Sequence, residues 1–113
     1  MSEIYHLVLP SLWEARPGEP YRAASLDTEG FIHCSYAHQV AASANRFYAS
    51  AAELLVLQID PARLSSPLKA EPSGSGELFP HVYGPIDRDA VTSIRSLTRD
   101  ASGQWVFLRK DEG

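Results

Sequence analysis

Four histidines stand in this 113-residue chain, at His6, His33, His38 and His81. Histidine is the side chain to follow, because its charge can change near neutral pH and its ring binds metals and ribose hydroxyls alike. His6 sits mid-strand on a face otherwise made of Ile4 and Val8. Its bland reading is a core histidine bonded to a backbone carbonyl. His33 falls at the end of a second strand, just before a helix start, where ligand groups are common. Ser35 beside it reads as the helix N-cap, satisfying a free N–H. The same helix N-terminus could also attract a phosphate. Cys34 alternates away from His33 and reads as a small apolar packing residue, which disfavours a Cys/His nucleophilic pair. His38 reads as a solvated residue of the first helical turn.

Glu77-Leu-Phe-Pro-His81-Val-Tyr83-Gly-Pro85 is the most unusual segment. It places an acid, a histidine and a phenol within seven residues. One reading has Phe79 and Tyr83 plugging the core while Pro80, Gly84 and Pro85 shape turns. The other is a rigid active-site loop. No P-loop, G-x-G-x-x-G, G-x-S-x-G or H-E-x-x-H signature occurs. Gly74-Ser-Gly76 is too short and too poorly placed to count as a phosphate loop.

The elements that would position these groups follow from periodicity. Ile4 to Leu9 alternates as a strand, with Ile4, His6 and Val8 on one face and Tyr5, Leu7 and Leu9 on the other. Ser11-Leu-Trp-Glu14 fits a capping box, which predicts a short helix over Ser11 to Arg16. Gly30 to Ser35 predicts a second strand. Val40, Ala44, Phe47 and Ala51 form one apolar stripe, which predicts the main helix over Tyr36 to Ala51. Leu54 to Asp60 is a near-continuous apolar run, expected as a central strand buried on both faces. Leu68 to Glu71 reads as a minor strand and Pro72 to Gly76 as a flexible loop. Val91 to Leu97 and Gln104 to Leu108 read as a terminal hairpin turning at Asp100 to Gly103. Strands and helices do not alternate regularly. The expected class is therefore α+β, with small, mostly antiparallel sheets, one main helix and one short helix.

Size and composition predict one domain over residues 1–113. A hydrophobic fraction of 44% and a charged fraction of 21% describe a globular chain. A net charge of -4 supplies no net positive field to draw in phosphates, so nucleic acid and anionic membrane are not expected partners. The single cysteine excludes an intramolecular disulfide and a zinc site built on several thiolates. No apolar run approaches the roughly 20 residues that span a bilayer. The N-terminal stretch lacks the basic flank of a signal peptide, so the cytoplasm is the expected compartment.

Several motifs together resemble the domain of unknown function 952 family, a bacterial-type family. They are Ile4-Tyr-His-Leu7, Gly30-Phe-Ile-His-Cys-Ser35, Gln39-Val40, Asn45-Arg-Phe-Tyr48, Ile59-Asp60 and Gly76-Glu-Leu-Phe-Pro-His-Val-Tyr-Gly-Pro85. The resemblance runs in order through essentially the whole chain. It implies a fold similar to the ADP-ribosyltransferase-like group, which binds NAD in a cleft between two small sheets. It implies His6 as the first-strand histidine that holds a ribose. It likens Ile32-His-Cys-Ser35 to the His-x-Ser segment of the RNA 2′-phosphotransferase branch, and Glu77 to a late catalytic acid. Leu7 departs from the glycine that often follows the first histidine in that group. Arg22 and Arg46 are available where the phosphotransferase branch uses several arginines.

Three chemistries compete. The first is an NAD-handling enzyme, an ADP-ribosyl or phosphoryl transferase, with Glu77 and His33 as catalytic groups. His6, Ser35, His81 and Tyr83 would then hold the ribose nucleotide. The second is a non-catalytic small-molecule binding module using the same cleft. The third is a metal-dependent enzyme in which His6, His33 and His81 bind zinc or iron, with Glu77 as ligand or base. No tightly bound cofactor or structural metal is expected, and NAD or a related nucleotide is the ligand to test.

Overall fold

The computed structural model describes residues 3–108. Two three-stranded antiparallel sheets carry the architecture. The first contains β1 (Ile4–Val8), β3 (Leu55–Ile59) and β6 (Val91–Ser96), with β3 in the middle. The second contains β2 (Ile32–His33), β5 (Leu78–Val82) and β4 (Leu68–Pro72), with β5 in the middle. Helices α1 (Pro10–Trp13), α2 (Ala24–Thr28) and α3 (Val40–Phe47) lie between strands, and a small ladder joins β7 (Thr98–Arg99) to β8 (Trp105–Val106).

The first sheet is the middle layer because both of its faces are apolar. Ile4 and Val8 of β1 and Leu57 and Ile59 of β3 face the second sheet, where they pack with Ile32, Cys34 and Val82. Tyr5 and Leu7 of β1 and Val56 of β3 face the other way, toward Val40 and Ala44 of α3 and toward Trp105. Alternation along β1 and the run of β3 therefore divide as the sequence pattern required. Each fully buried Val, Leu or Ile contributes roughly 1.5–3 kcal/mol. The second sheet is covered on one face only, so its other face is free to carry polar groups.

Several expected elements differ. The short helix starts at Pro10 rather than Ser11, with Leu9 at the N-cap and no side-chain cap. Proline suits this first helical position, because its missing N–H needs no partner there. The main helix is preceded by a 3-10 turn, Ala37–Gln39. Tyr36 rather than Ser35 holds its N-cap position, and the Tyr36 N–H donates to the Gln39 side chain. Phe47 leaves the apolar stripe and lies exposed beneath the Arg46 guanidinium. Helix α2 was not anticipated. β6 pairs with β3, so only the two-residue β7–β8 ladder remains of the terminal hairpin.

The largest revision concerns residues 77–85. They form no loop: Leu78–Val82 is the central strand of the second sheet. Pro80 is buried and its carbonyl accepts the Cys34 N–H at 3.0 Å. The segment before it closes a hairpin, with the Ser73 N–H donating to Glu77 O at 2.9 Å. β4, read as minor, pairs with β5 over five residues.

Gly84 ends this strand at a close approach. A Cβ there would lie 2.3 Å from Ser66 Oγ and 2.8 Å from Ser66 Cβ. Ser66 cannot swing away freely, because its hydroxyl donates to the Pro85 carbonyl at 2.7 Å. Gly84→Ala is expected to destabilise the fold by roughly 1–3 kcal/mol, the usual cost of overpacking. Adding Ser66→Gly should recover part of that loss in urea unfolding. A double variant no more stable than Gly84→Ala would refute the steric account.

Candidate functional site

The outer face of the second sheet collects the chemistry. β2 and β4 both pair with β5, and the register sets His33 opposite His81 and Lys69 opposite His81. Directly opposed residues share a face. The intervening Ile32 and Val82 are buried in the core, so His33, His81 and Lys69 form one row on the outside. Glu71 lies two residues beyond Lys69 and joins the same face.

Glu71 organises the group. Its Oε1 accepts from His81 Nδ1 at 2.9 Å and from the Tyr83 hydroxyl. These two donors, Tyr83 first and His81 second, hold the Glu71 carboxyl below its usual range. The same bond to Glu71 raises the Tyr83 phenol, so it stays a donor. Lys69 Nζ lies 4.9 Å from the centroid of the Tyr83 ring. Phe31 covers His81 in a stacked contact at 4.0 Å and 18°. His81 is consequently only 8% exposed.

The remaining nitrogen of His81 decides what the group can do. Nδ1 must be the protonated nitrogen, because a carboxylate only accepts. Nε2 has no hydrogen-bond partner among the described residues, and no buried side-chain nitrogen or oxygen among them lacks one. Nε2 therefore keeps some exposure to solvent at the edge of this covered ring. A carboxylate–imidazole pair with its free lone pair outward is the arrangement of a general base.

His33 lies beside it, ring centroids 5.4 Å apart in an edge contact. It is more exposed, and its Nε2 pairs with Glu29 Oε2 at 3.0 Å. Gly30 makes this pairing possible. It ends α2 in the left-handed region, at φ 90°, and turns the chain so that Glu29 and His33 meet.

The structure does not bring every expected residue here. His6 sits on the inner side, 7% exposed. Its Nδ1–H donates to the His33 carbonyl at 2.6 Å, and its Nε2 accepts from the Tyr21 hydroxyl at 3.1 Å. Both nitrogens are used, and the backbone of β2 separates the ring from the outer face. The expectation that His6, His33 and His81 share one concave site is corrected on this point, and the bland reading of His6 holds. Cys34 is buried as expected, with burial pushing its thiol up to about 12. Ser35 is also inside: it exchanges backbone bonds with Tyr5, and its hydroxyl donates to Ser43 Oγ at 3.4 Å.

Glu77 is engaged elsewhere. Its carboxylate accepts from Gln39 Nε2 at 2.8 Å and lies 3.9 Å from exposed His38. The acid beside the histidines is Glu71. Phe79 and Tyr83 do not plug the core, since both lie on the outer face and are only partly buried. A metal held by His6, His33, His81 and Glu77 is ruled out by these placements. Among the described residues, no three His, Cys, Asp or Glu side chains are set to share an ion. Sequence reasoning missed Glu29, Phe31, Lys69 and Glu71. The alternation of Lys69 and Glu71 in a strand pairing back onto His81 was the available signal.

The sequence matches the family model described as Protein of unknown function (DUF952) over residues 8–94. The chain belongs to the DUF952 family. That match covers the whole outer-face group and begins after His6. This DUF952 chain is similar to the crystal structure of protein CC0527 from Caulobacter crescentus, at 30% identity and a TM-score of 0.83. The likeness covers 93% of this chain and 94% of that one. The solution NMR structure of CC0527 gives 31% identity, coverage of 92% and 91%, and a TM-score of 0.75. No curated protein matches the sequence. The α+β arrangement of small antiparallel sheets is thus shared with a solved relative. Among the described residues, no helix is long and apolar enough to cross a membrane.

Burial makes His6 a source of pH sensitivity. Desolvation lowers it from 6.5 to about 4, against the raising effect of its bond to His33. Between those values the unfolded chain takes up a proton that the folded chain refuses, so stability is full above pH 6.5 and falls as pH drops toward 4. At about 1.4 kcal/mol per pKa unit the loss is roughly 3 kcal/mol. His6→Gln should lower stability at pH 7 and flatten this slope in denaturant unfolding from pH 7 to 4.5. Parallel pH curves for the two proteins would remove His6 as the cause.

Proposed function

We propose that the outer face of the second sheet binds a ribose-containing nucleotide and offers it acid–base chemistry. The observation that carries this reading is His81, a nearly buried imidazole anchored through Nδ1 to Glu71, with Nε2 left without a protein partner among the described residues. Nε2 accepts a proton from a ribose hydroxyl in reach. Glu71 stabilises the imidazolium that forms, and Tyr83 keeps the carboxylate in place. His33 and Lys69 flank His81 in the same row and supply N–H donors to a phosphate. The phenyl face of Phe79, next along β5, offers a surface for a base to stack on.

The resemblance to the ADP-ribosyltransferase-like group makes NAD the first ligand to test. The location differs from what that resemblance implies, since Ile4, Val8, Ile32, Leu57 and Val82 pack in the space between the sheets. In this reading Glu71 takes the part that sequence reasoning gave Glu77. A carboxylate there stabilises positive charge growing on a ribose as its bond to nicotinamide breaks. A cytoplasmic setting fits a chain whose single thiol is buried and unpaired.

The test is a titration of NAD, ADP-ribose and AMP followed by NMR of the histidine rings. The expected result is movement of the His33 and His81 signals with His6 unmoved, and at least about tenfold weaker binding in His81→Ala, the loss of one charge-assisted contact. No movement with any of the three at millimolar concentration ends the nucleotide reading. Binding with no loss of NAD over hours makes the site a binding module toward that ligand.

A further inference from the structure

The row His33–His81–Lys69 contains more than a single base requires. Each imidazole is tied by one nitrogen to its own carboxylate, His81 to Glu71 at 2.9 Å and His33 to Glu29 at 3.0 Å. Each therefore keeps one N–H in place and exchanges its proton at the other nitrogen. Their rings touch edge to face, 5.4 Å apart. An ammonium, Lys69, completes the row on the far side of His81. Two imidazoles and an ammonium in one row suit a reaction that removes a proton at one oxygen and returns one at another while negative charge builds between them.

Resting on the nucleotide reading above, we infer that this row cleaves a small ribose phosphodiester by transferring phosphorus to the neighbouring 2′-hydroxyl. His81 Nε2 takes the 2′-hydroxyl proton. The 2′-oxygen forms a bond to phosphorus, and the bond from phosphorus to the leaving 5′-oxygen breaks. Charged His33 gives its Nδ1 proton to that 5′-oxygen. Lys69 faces the negative charge on the five-coordinate phosphorus. One proton is taken and one is given, so the products are a 2′,3′-cyclic phosphate and a free 5′-hydroxyl. No oxidant, reductant or second substrate enters.

The rest of the molecule selects the size of the substrate. A chain of net charge -4 with Glu29 and Glu71 at the site itself does not attract a long polyanion. A dinucleotide carries one phosphodiester and meets that obstacle once. The reaction needs one imidazole neutral and the other charged, so its rate should rise and then fall with pH.

The experiment incubates the full chain with uridylyl-3′,5′-adenosine and follows products by chromatography and phosphorus NMR. Expected are uridine 2′,3′-cyclic phosphate and adenosine, a bell-shaped pH profile, and no reaction of the 2′-deoxy analogue. His33→Gln and His81→Gln, purified identically, should each be slower by about 10²–10⁴-fold, the usual contribution of one acid or base. Lys69→Met leaves both imidazoles in place and should also be slower. Unmoved His6 ring signals establish that each variant is folded. Cleavage that persists in both histidine variants, or that consumes the deoxy analogue, overturns the inference. If AMP moves the His33 and His81 signals but the dinucleotide stays intact, the inference fails and the nucleotide reading stands. If no nucleotide moves those signals, both fail.

Discussion

The hydrogen bond from His6 Nδ1 to the carbonyl of His33 is the joint on which this structure depends. It links the middle strand layer to the second sheet at the level of the candidate site. The carbonyl only accepts, so it places the proton of the neutral ring on Nδ1, and Nε2 is left to accept from the Tyr21 hydroxyl. Tyr21 in turn is buried, packs against Trp13, and is raised to about 12 chiefly by burial, so it too keeps its proton. Arg88 secures the segment behind Trp13 by donating to the carbonyls of Trp13, Arg16 and Glu19. A chain of hydrogen-bonded and packed groups thus fixes the backbone from which His33 projects outward.

Once the inner face of the second sheet is committed to the core, alternation determines what lies outside. Ile32 and Val82 point in, and the residues beside them point out. An outer face carrying two histidines, a lysine, a carboxylate and three aromatic rings is not required for folding. Solvated polar residues of any kind would satisfy that position. The mutual satisfaction of Glu71, His81 and Tyr83, together with the Phe31 stack, orders these side chains at a cost in conformational entropy. That ordering is the physical case for reading the face as a site.

How much of this was legible depended on whether the information was local. β1 and β3 were readable because alternation and a long apolar run are local signals, and both faces of β1 divide as their spacing demanded. The partition of Cys34 from His33 was readable for the same reason. The second sheet was not. Pro80, Gly84 and Pro85 read as breaks, yet Pro80 stands within a central strand, fills the core and offers its carbonyl to Cys34. The choice between Glu71 and Glu77 was a matter of register, which no single segment displays. Only the pairing of β4 on β5 shows that Glu71 meets His81 while Glu77 is drawn to Gln39. His33, His81 and Tyr83 were found from residue type, and their partners required the fold.

The site is built in two mechanical parts. Glu71, His81 and Tyr83 ride on one hairpin, β4 to β5, whose five paired residues hold them as a unit. His33 and Glu29 ride on β2 and the end of α2. The seam between these parts is short: two ladder pairs and the Cys34 N–H to Pro80 bond. Any rigid-body displacement of the hairpin therefore leaves Glu71, His81 and Tyr83 in fixed relation to each other. It changes the placement of the two imidazoles relative to each other. A ligand that bridges His33 and His81 stitches the seam across its outer side, as His6 braces β2 from within.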